Sequence, residues 1–424
     1  MSFGLNEIKK LDQSDPISNF RNEFHFQEKD LLYLDGNSLG RLPKKTIRDL
    51  SSFTTEEWGN QLVEGWENWI NEAQVSGDLL ATNVLGANLG EVLVCDTTSV
   101  NFFQICSAVV KAAMGRKTII TDAANFATDR YILEGIAENF GLKLIIIDNE
   151  KTDVDEYERI TTSMLKPYLN EDVALVTFQV LQYRSGALNP IKEITKLVRE
   201  YGALTVWDSS HAAGSVHLEF SKNEIDLAVG CTYKYLSSGP GSPAYLYVKK
   251  NLQEELRVPI QGWFAQKDQF EMGPKFIKSP DIRGFQIASP SILGLRCVNV
   301  AINMINRAGM KNIVLKAQEG TEVMIKLYDT YLKSLGFKLM TPRDKNKRGG
   351  HLSLMHDKAR NISIALRKYE NVIVDYRKPN QIRIAISPLA MSYSEVYLGM
   401  MKIKELTEKK SYEKIKDFDG KKIY

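Results

Sequence analysis

The residues best suited to chemistry lie between positions 204 and 248. An apolar run at 204–207 ends in an acid, Asp208, and His211 follows three residues later. A second apolar run at 228–231 leads into Thr232-Tyr233-Lys234, which places a lysine between two tyrosines, 26 residues beyond the acid. Ser237-Ser238-Gly239-Pro240-Gly241 makes a loop, and 244–248 makes a further strand. Taken singly, an acid at a strand end is a turn former or cap, and a lysine is a solvated surface charge. Together, a buried strand ending in Asp and a charge-poor, aromatic-flanked Lys suggest a Schiff-base lysine that carries pyridoxal phosphate. The acid would then pair with the pyridine nitrogen.

The elements that must position these groups alternate. A strand at 92–95 runs into Asp96-Thr97-Thr98-Ser99-Val100-Asn101, and an apolar helix follows from 102 to 114. The Thr and Ser hydroxyls and the N–H groups of a first helical turn make a good phosphate cradle, a reading compatible with a plain N-cap. Next come a strand at 118–121, the turn Asn125-Phe126-Ala127-Thr128-Asp129, a helix, a strand at 143–147, an acidic helix and a strand at 173–178. Gln182-Tyr183-Arg184-Ser185-Gly186 and a helix at 191–201 lead back to Asp208. This alternation predicts an α/β fold, with a mostly parallel sheet and helices on both faces. Ser99, Phe126, Asp129, Asp208 and His211 all fall just after strands, where open α/β sheets bind ligands.

Around this lie less regular parts. Residues 1–30 read as an arm or helix, 31–34 as a short strand, and Asp35-Gly36-Asn37-Ser38-Leu39-Gly40 as a tight turn. Residues 44–87 read as helical, with Trp58, Trp66 and Trp69 near one core-facing side. The stretch 251–290 is irregular and rich in Pro, Gly and aromatics, and a long helix at 292–307 leads out of it. Beyond it, helices at 314–335 and 357–368 accompany strands at 352–355, 372–375 and 382–386, an α+β pattern. The expected division is an N-terminal arm at 1–45 packing with the small domain, a large cofactor-binding domain at 46–295 and a small C-terminal domain at 296–424.

Composition narrows the class. The chain has 424 residues, 43% of them hydrophobic and 25% charged, with a formal charge of +3, as in an ordinary globular protein large enough for two cores. No basic block interleaved with aromatics is present, so no nucleic-acid partner is expected. The Lys-rich stretch 402–422 also carries acids and reads as a solvated helical face and tail. Four cysteines (Cys95, Cys106, Cys231, Cys297) form no CxxC pair, which argues against a metal site or disulfide framework and for a reducing compartment. No secretory h-region and no bilayer-length apolar run is found. The expectation is a cytoplasmic protein with no membrane partner.

These motifs resemble those of the kynureninase family. The likeness runs through YLDGNSLG (33–40), DTTSVN (96–101), FATD (126–129), YRSG (183–186), WDSSHAAG (207–214), VGCTYKYLSSGPGSPAYLYV (229–248), GWF (262–264) and IRIAISPL (382–389). It implies fold type I and pyridoxal 5'-phosphate as cofactor. It also implies hydrolysis of L-kynurenine or 3-hydroxykynurenine to L-alanine and anthranilate or its 3-hydroxy form, a step of tryptophan catabolism. By this resemblance Lys234 is the Schiff-base lysine and Asp208 the pyridine-nitrogen partner, with Asp129 in support. His211 lies at the phenolic side of the ring, and Phe126 stacks on it. Thr98, Ser99 and Tyr233 hold the phosphate, and Tyr233 relays a proton. Trp263 and Ser289 complete the phosphate site from a neighbouring subunit, which implies a homodimer. Arg383 takes the carboxylate of a small amino-acid substrate, and Ser38 and Trp66 are pocket walls.

Some positions depart from the family's pattern. Ala390 stands where Tyr is usual, Ala265-Gln266 where Gly-His is usual, Gln179 where a small hydroxyl residue is common, and Ser289 where Asn or Thr is more usual. A cysteine desulfurase needs a nucleophilic Cys on a late mobile loop. Arg348-Gly349-Gly350-His351 is reminiscent of that loop, but Leu352 follows it. An aminotransferase-like or lyase activity on another amino acid shares Lys, Asp and Arg, and stays open at this point.

Overall fold

Short runs rich in Val, Ile and Leu build a seven-stranded sheet from β1 (Val92–Cys95), β2 (Thr118–Asp122), β3 (Lys143–Ile147), β4 (Val173–Gln179), β5 (Leu204–Asp208), β6 (Leu227–Gly230) and β7 (Ala244–Val248). The structure, a computed structural model, describes residues 4–28, 30–113, 115–149 and 157–415. The strand order is β1-β7-β6-β5-β4-β2-β3. The pairs from β6 through β3 are parallel, and β7 runs antiparallel to both β1 and β6. Every residue of β4 is buried, as a parallel strand covered on both faces requires. Helices Thr98–Ala112, Ala127–Phe140 and Ile191–Glu200 make crossovers. The second of them stops at Gly141, whose φ of +64° is a left-handed cap that a side chain would resist.

The C-terminal part carries an antiparallel sheet of β8 (Lys338–Leu339), β9 (His351–Met355), β10 (Asp375–Arg377) and β11 (Gln381–Ala385), ordered β10-β11-β9-β8. Helices Met310–Leu327, Ala359–Tyr369 and Tyr393–Glu408 accompany it. Two apolar clusters result. One runs through the large sheet and reaches helix Ile292–Ala308, and the other gathers the small sheet with Ile8 and Leu34 from the N-terminal arm. Polar contacts fix that arm. Lys316 and Asp15 form a buried ion pair at 2.7 Å. Asp12 Oδ1 accepts from Tyr393 N at 2.7 Å, at the start of the last long helix, while Arg21 grips Glu395 at 2.9 and 2.8 Å. Leu32–Tyr33 pairs in parallel with Val372–Ile373.

Several sequence expectations are adjusted. The three tryptophans do not share a core face. The helical run breaks at Leu62, which has a φ of +48°, so Trp58 stays 53% exposed while Trp69 is buried. The strand expected at 372–375 is split at Val374 into Val372–Ile373 and Asp375–Arg377. The acidic helix after β3 falls partly on 150–156, and the tail beyond 415 likewise lies outside the described residues; between β3 and β4 the described residues carry the short helix Thr162–Leu165 and a 3-10 turn at Lys166–Tyr168. Among the described residues, no helix is long and apolar enough to cross a membrane.

Candidate active site

The lysine end of the site is assembled from turns at the carboxyl edge of the large sheet. β6 ends at Gly230, a glycine because a Cβ there would lie 2.3 Å from the Tyr245 hydroxyl oxygen. The chain then turns, with Thr232 Oγ1 donating to the Pro243 carbonyl at 2.6 Å. Lys234 projects from that turn and its Nζ lies 2.8 Å from His211 Nε2. Burial, then the Lys234 charge, holds the His211 pKa well below its ordinary value. The imidazole is therefore neutral, Nε2 accepts from the ammonium, and the ring proton sits on Nδ1, which has no partner.

Asp208 closes β5 and is buried. Its carbonyl accepts from Val180 N at 2.7 Å, and its Oδ1 accepts from Ser210 N at 2.9 Å. Asp129 lies in the first turn of helix Ala127–Phe140, buried, with Oδ2 unpartnered. Burial and then repulsion from Asp208 push its pKa well up. Two acids, one ending β5 and one in the helix after β2, thus lie near enough to repel each other. Phe126 precedes that helix, 37% exposed, its ring edge-on to Tyr183 at 5.4 Å and 6.0 Å from Lys234 Nζ. Thr98 and Ser99 open helix Thr98–Ala112, which Thr97 caps by accepting from Val100 N at 3.3 Å. That leaves the Thr98 and Ser99 hydroxyls free to face an anion at the helix N-terminus. Tyr233 is half-buried, and burial followed by the Cys231 thiol raises its phenol pKa, so it stays protonated.

The arginine end is built differently. Arg383 lies in the middle of β11, fully buried. Its Nε donates to Asp375 Oδ2, its Nη1 to the Tyr183 carbonyl at 2.7 Å and its Nη2 to Ser38 Oγ at 3.1 Å. A guanidinium has five N–H groups, so one remains on each Nη, the fork that a carboxylate needs. Arg377 also donates to Asp375 Oδ2, at 2.8 Å. Asp35 joins this cluster with Oδ1 unpartnered; burial, then Asp375, pushes its pKa upward. The N-terminal segment spans the two ends. Leu34 O accepts from Ala385 N at 2.9 Å, and Gly40 N donates to Tyr233 O at 2.8 Å. A Cβ on Gly40 would sit 2.4 Å from the Lys234 carbonyl oxygen, which explains the glycine.

Lys234, His211, Phe126, Tyr233, Asp208 and Asp129 are thus drawn together around one edge of the sheet, and Arg383, bonded directly to Ser38, is linked to them through Tyr183. Trp66, Trp263 and Ser289 are not joined to them by any hydrogen bond or ring contact among the described residues. Trp263 is 41% exposed and packs edge-on against Phe264 at 4.6 Å. Trp66 and Ser289 line an open apolar groove of about 560 Å³ with Phe53, Trp58, Leu62 and Val63. Among the positions that depart from the family pattern, Gln179 Oε1 accepts from Tyr183 N at 3.1 Å and shapes that turn. Gln266 accepts from Ile277 N at 2.5 Å and so ties its own loop. Ala390 is buried beside Phe24 and Tyr235. Leu352 is fully buried in β9 opposite Ile384, a strand where a desulfurase would need a mobile loop.

The sequence names Tyr183, Asn37 and His351 only within motifs and Asp375 only as a strand end, and assigns none of them a role in the site. Asp375 and His351 are brought in by strand register, which local pattern does not reveal. Asn37 reads in the sequence only as part of a turn, yet it is fully buried with both amide atoms unpartnered. Its neighbours Gly36 and Ser38 were the available signal.

Comparison with known proteins identifies the family and the fold. The family model described as kynureninase C-terminal domain matches residues 313–403. A kynureninase of Pseudomonas fluorescens is 32% identical over 415 residues, covering 96% of each chain. One from Deinococcus radiodurans is 32% identical over 398 residues, covering 92% of this chain and 93% of its own. Among solved structures, the apo cysteine desulfurase of Thermococcus onnurineus superposes with a TM-score of 0.75 at 18% identity, over 95% of this chain and 98% of that one. A C-DES mutant with glycine covalently linked to its PLP cofactor gives 0.75 at 16% identity, over 88% and 97%. Identities this low speak for the fold alone, the α/β type I architecture of these enzymes.

Proposed function

The chain belongs to the kynureninase family, and from that membership we propose that it is a pyridoxal-phosphate-dependent hydrolase. Its substrate is L-kynurenine or 3-hydroxykynurenine, cleaved between Cβ and Cγ to give L-alanine and anthranilate or 3-hydroxyanthranilate. The observation that carries this reading is the pairing of a Schiff-base-competent amine with a fork-bearing buried arginine: Lys234 beside His211, and Arg383 with two donors to spare.

The residues present fit the cofactor. Asp129 Oδ2 and His211 Nδ1 are buried atoms without partners, an arrangement that costs stability unless a ligand meets them. Asp208 and Asp129 would hold a pyridinium, Phe126 would cover the ring, and Thr98, Ser99 and the first helical turn would hold the phosphate. When bound, pyridoxal phosphate supplies an electron sink for charge developing at the substrate's Cα.

The chain's own groups do the rest. Arg383 fixes the carboxylate and, through it, the orientation of the Cα–H bond. Lys234 Nζ, once free, accepts the Cα proton, and His211 steadies the amine by accepting its hydrogen bond. Tyr233, kept protonated, donates at the carbonyl end of the substrate. The homodimer belongs to the same proposal. Trp263 and Ser289 are exposed, and Trp66 and Ser289 line an open apolar groove. A second copy covering this face would bring these groups to its partner's site. Four unpaired cysteines favour a reducing, cytoplasmic location.

The test is anthranilate fluorescence after mixing cofactor-loaded protein with L-kynurenine, with 3-hydroxykynurenine followed in parallel by absorbance. Turnover of either is the expected result. A shift in the cofactor spectrum with no product would overturn the hydrolase reading and leave an amino-acid site of another specificity.

A further inference from the structure

His351 is the first residue of β9 and is fully buried, and neither ring nitrogen has a partner in full hydrogen-bond geometry, although the Tyr183 carbonyl, already accepting from Arg383 Nη1, lies near enough to attract a ring N–H. A buried imidazole without partners forfeits hydrogen bonds that water would have supplied. Its surroundings are specific. It pairs with Ala385 across β11, two residues from Arg383. Alternation along both strands places His351 and Arg383 on one face of the small sheet, as diagonal neighbours. Its ring centroid lies 5.9 Å from that of His211, whose Nε2 holds Lys234 Nζ at 2.8 Å. His351 therefore stands between the arginine fork and the amine, the two groups that grip the ends of an α-amino acid. The loop at 183–186 closes over it: a Cβ on Gly186, whose φ is +73°, would meet the His351 carbonyl oxygen at 2.8 Å and Nε2 at 3.2 Å, so glycine is needed there for the backbone first and leaves room for the ring as well.

We propose that His351 is a substrate-positioning residue that donates one ring N–H to the α-carboxylate held by Arg383. The inference rests on the amino-acid-hydrolase reading above. A carboxylate offers about four lone-pair directions, and the two free N–H groups of Arg383 fill two. His351 supplies a third donor from the direction of the lysine. Burial and the Arg383 charge hold its pKa well below the ordinary imidazole value, against the opposite pull of the Tyr183 carbonyl, so it serves as a neutral donor whose N–H passes from that carbonyl to the carboxylate and adds no second cation to the pocket. The third donor restricts rotation of the carboxylate about the Cα–C bond, which a planar fork alone resists less firmly.

The experiment compares wild type, His351→Phe and His351→Gln, all loaded with pyridoxal phosphate. L-Alanine binding is read from the cofactor absorbance, and L-kynurenine turnover is measured separately. The Phe variant keeps a ring and removes both nitrogens, and Gln restores a donor on a side chain that reaches as far. The expected result is a Kd for L-alanine raised at least tenfold in His351→Phe, with KM following it and kcat changed less than threefold. His351→Gln should stay within about threefold of wild type. Equal Kd values for wild type and Phe overturn the proposal. Equal losses in Phe and Gln overturn it too, because they assign the residue to packing, and so does loss of the cofactor from either variant. If the Phe protein does not fold, a Kd in the Gln variant raised tenfold or more overturns it and one near wild type supports it. Wild-type protein that binds L-alanine and does not cleave kynurenine would defeat the hydrolase reading while leaving this comparison of Kd values intact.

Discussion

The lysine end and the arginine end of this site are built on opposite plans. The lysine end is made of turns: Lys234, His211 and Phe126 all sit just past a strand, and their polar atoms are left partly unspent. The arginine end is made in mid-strand, where Arg383 is clamped by Asp375, the Tyr183 carbonyl and Ser38. A group that must exchange partners during a reaction is placed where the backbone constrains it least, at the edge of a rigid sheet. A group that only measures the substrate is embedded in ladder hydrogen bonds and a buried ion network, where a misplaced guanidinium is costly. The same contrast appears in the charges. The lysine end pairs an amine with a neutral imidazole, whereas the arginine end pairs two guanidinium groups with one buried aspartate.

Breaking each end should therefore give different symptoms. Lys234→Ala should lower turnover by about 10³-fold or more, by loss of both the attachment amine and the base, while the melting temperature of the apoprotein changes little. Borohydride reduction followed by mass analysis should find no fixed cofactor in that variant. Asp375→Ala should act in reverse. It leaves the buried Arg383 without its anion, which typically costs about 3–5 kcal/mol, so denaturant unfolding should show the loss before any assay does. A folded, stable Asp375→Ala protein would show that the arginine end is less embedded than its contacts indicate.

A subtler effect is expected at Asp122, which ends β2 and orders the loops under Phe126 and Tyr183. Its Oδ2 accepts from Asn149 Nδ2 at 2.7 Å and from Gln182 Nε2 at 3.0 Å. Burial pushes its pKa up to about 6 from an ordinary 3.8. The folded state then prefers the protonated acid. That contribution is complete below about pH 4 and is lost as pH rises through about 6. Unfolding measured across this window should show wild type losing stability relative to Asp122→Asn as pH increases. The smallest effect serves as a control. Asp329→Asn breaks the exposed pair with Arg343 at 2.8 Å, which is expected to cost less than about 1 kcal/mol and to leave both ends of the site untouched.

The two ends also differ in how far they were legible in the sequence. The lysine end could be read because its residues follow strands in chain order: Asp208 ends one apolar run, Lys234 follows another, and the turn Asn125–Asp129 a third. Period and punctuation locate such positions without knowledge of strand pairing. Arg383 came from the likeness of IRIAISPL alone, since an arginine inside a buried strand has no local signature. Of its partners, Ser38 and Tyr183 stand in motifs of the same likeness, but Asp375 has no signal at all. Asp375 faces it only because β10 and β11 pair in one register, and His351 approaches it only because β9 lies on the other side. The tryptophans fail for a related reason. Trp58 was placed by helical spacing, but the helix breaks at Leu62 and the spacing no longer describes a face.

One feature of the N-terminal segment bears on both ends at once. Residues 34–40 are fastened to the small sheet at Leu34 and to the lysine turn at Gly40. In mechanical terms this is a tie rod between two jaws. Any shift of the small sheet is passed along it to the backbone that carries Lys234, and the gap between guanidinium and amine is gauged by a short piece of chain that touches both. A single peptide-bond cut within the rod would leave two intact half-sites, one with its lysine and one with its arginine. What would be lost is the fixed distance between them, and with it the enzyme's measure of how long an amino acid should be.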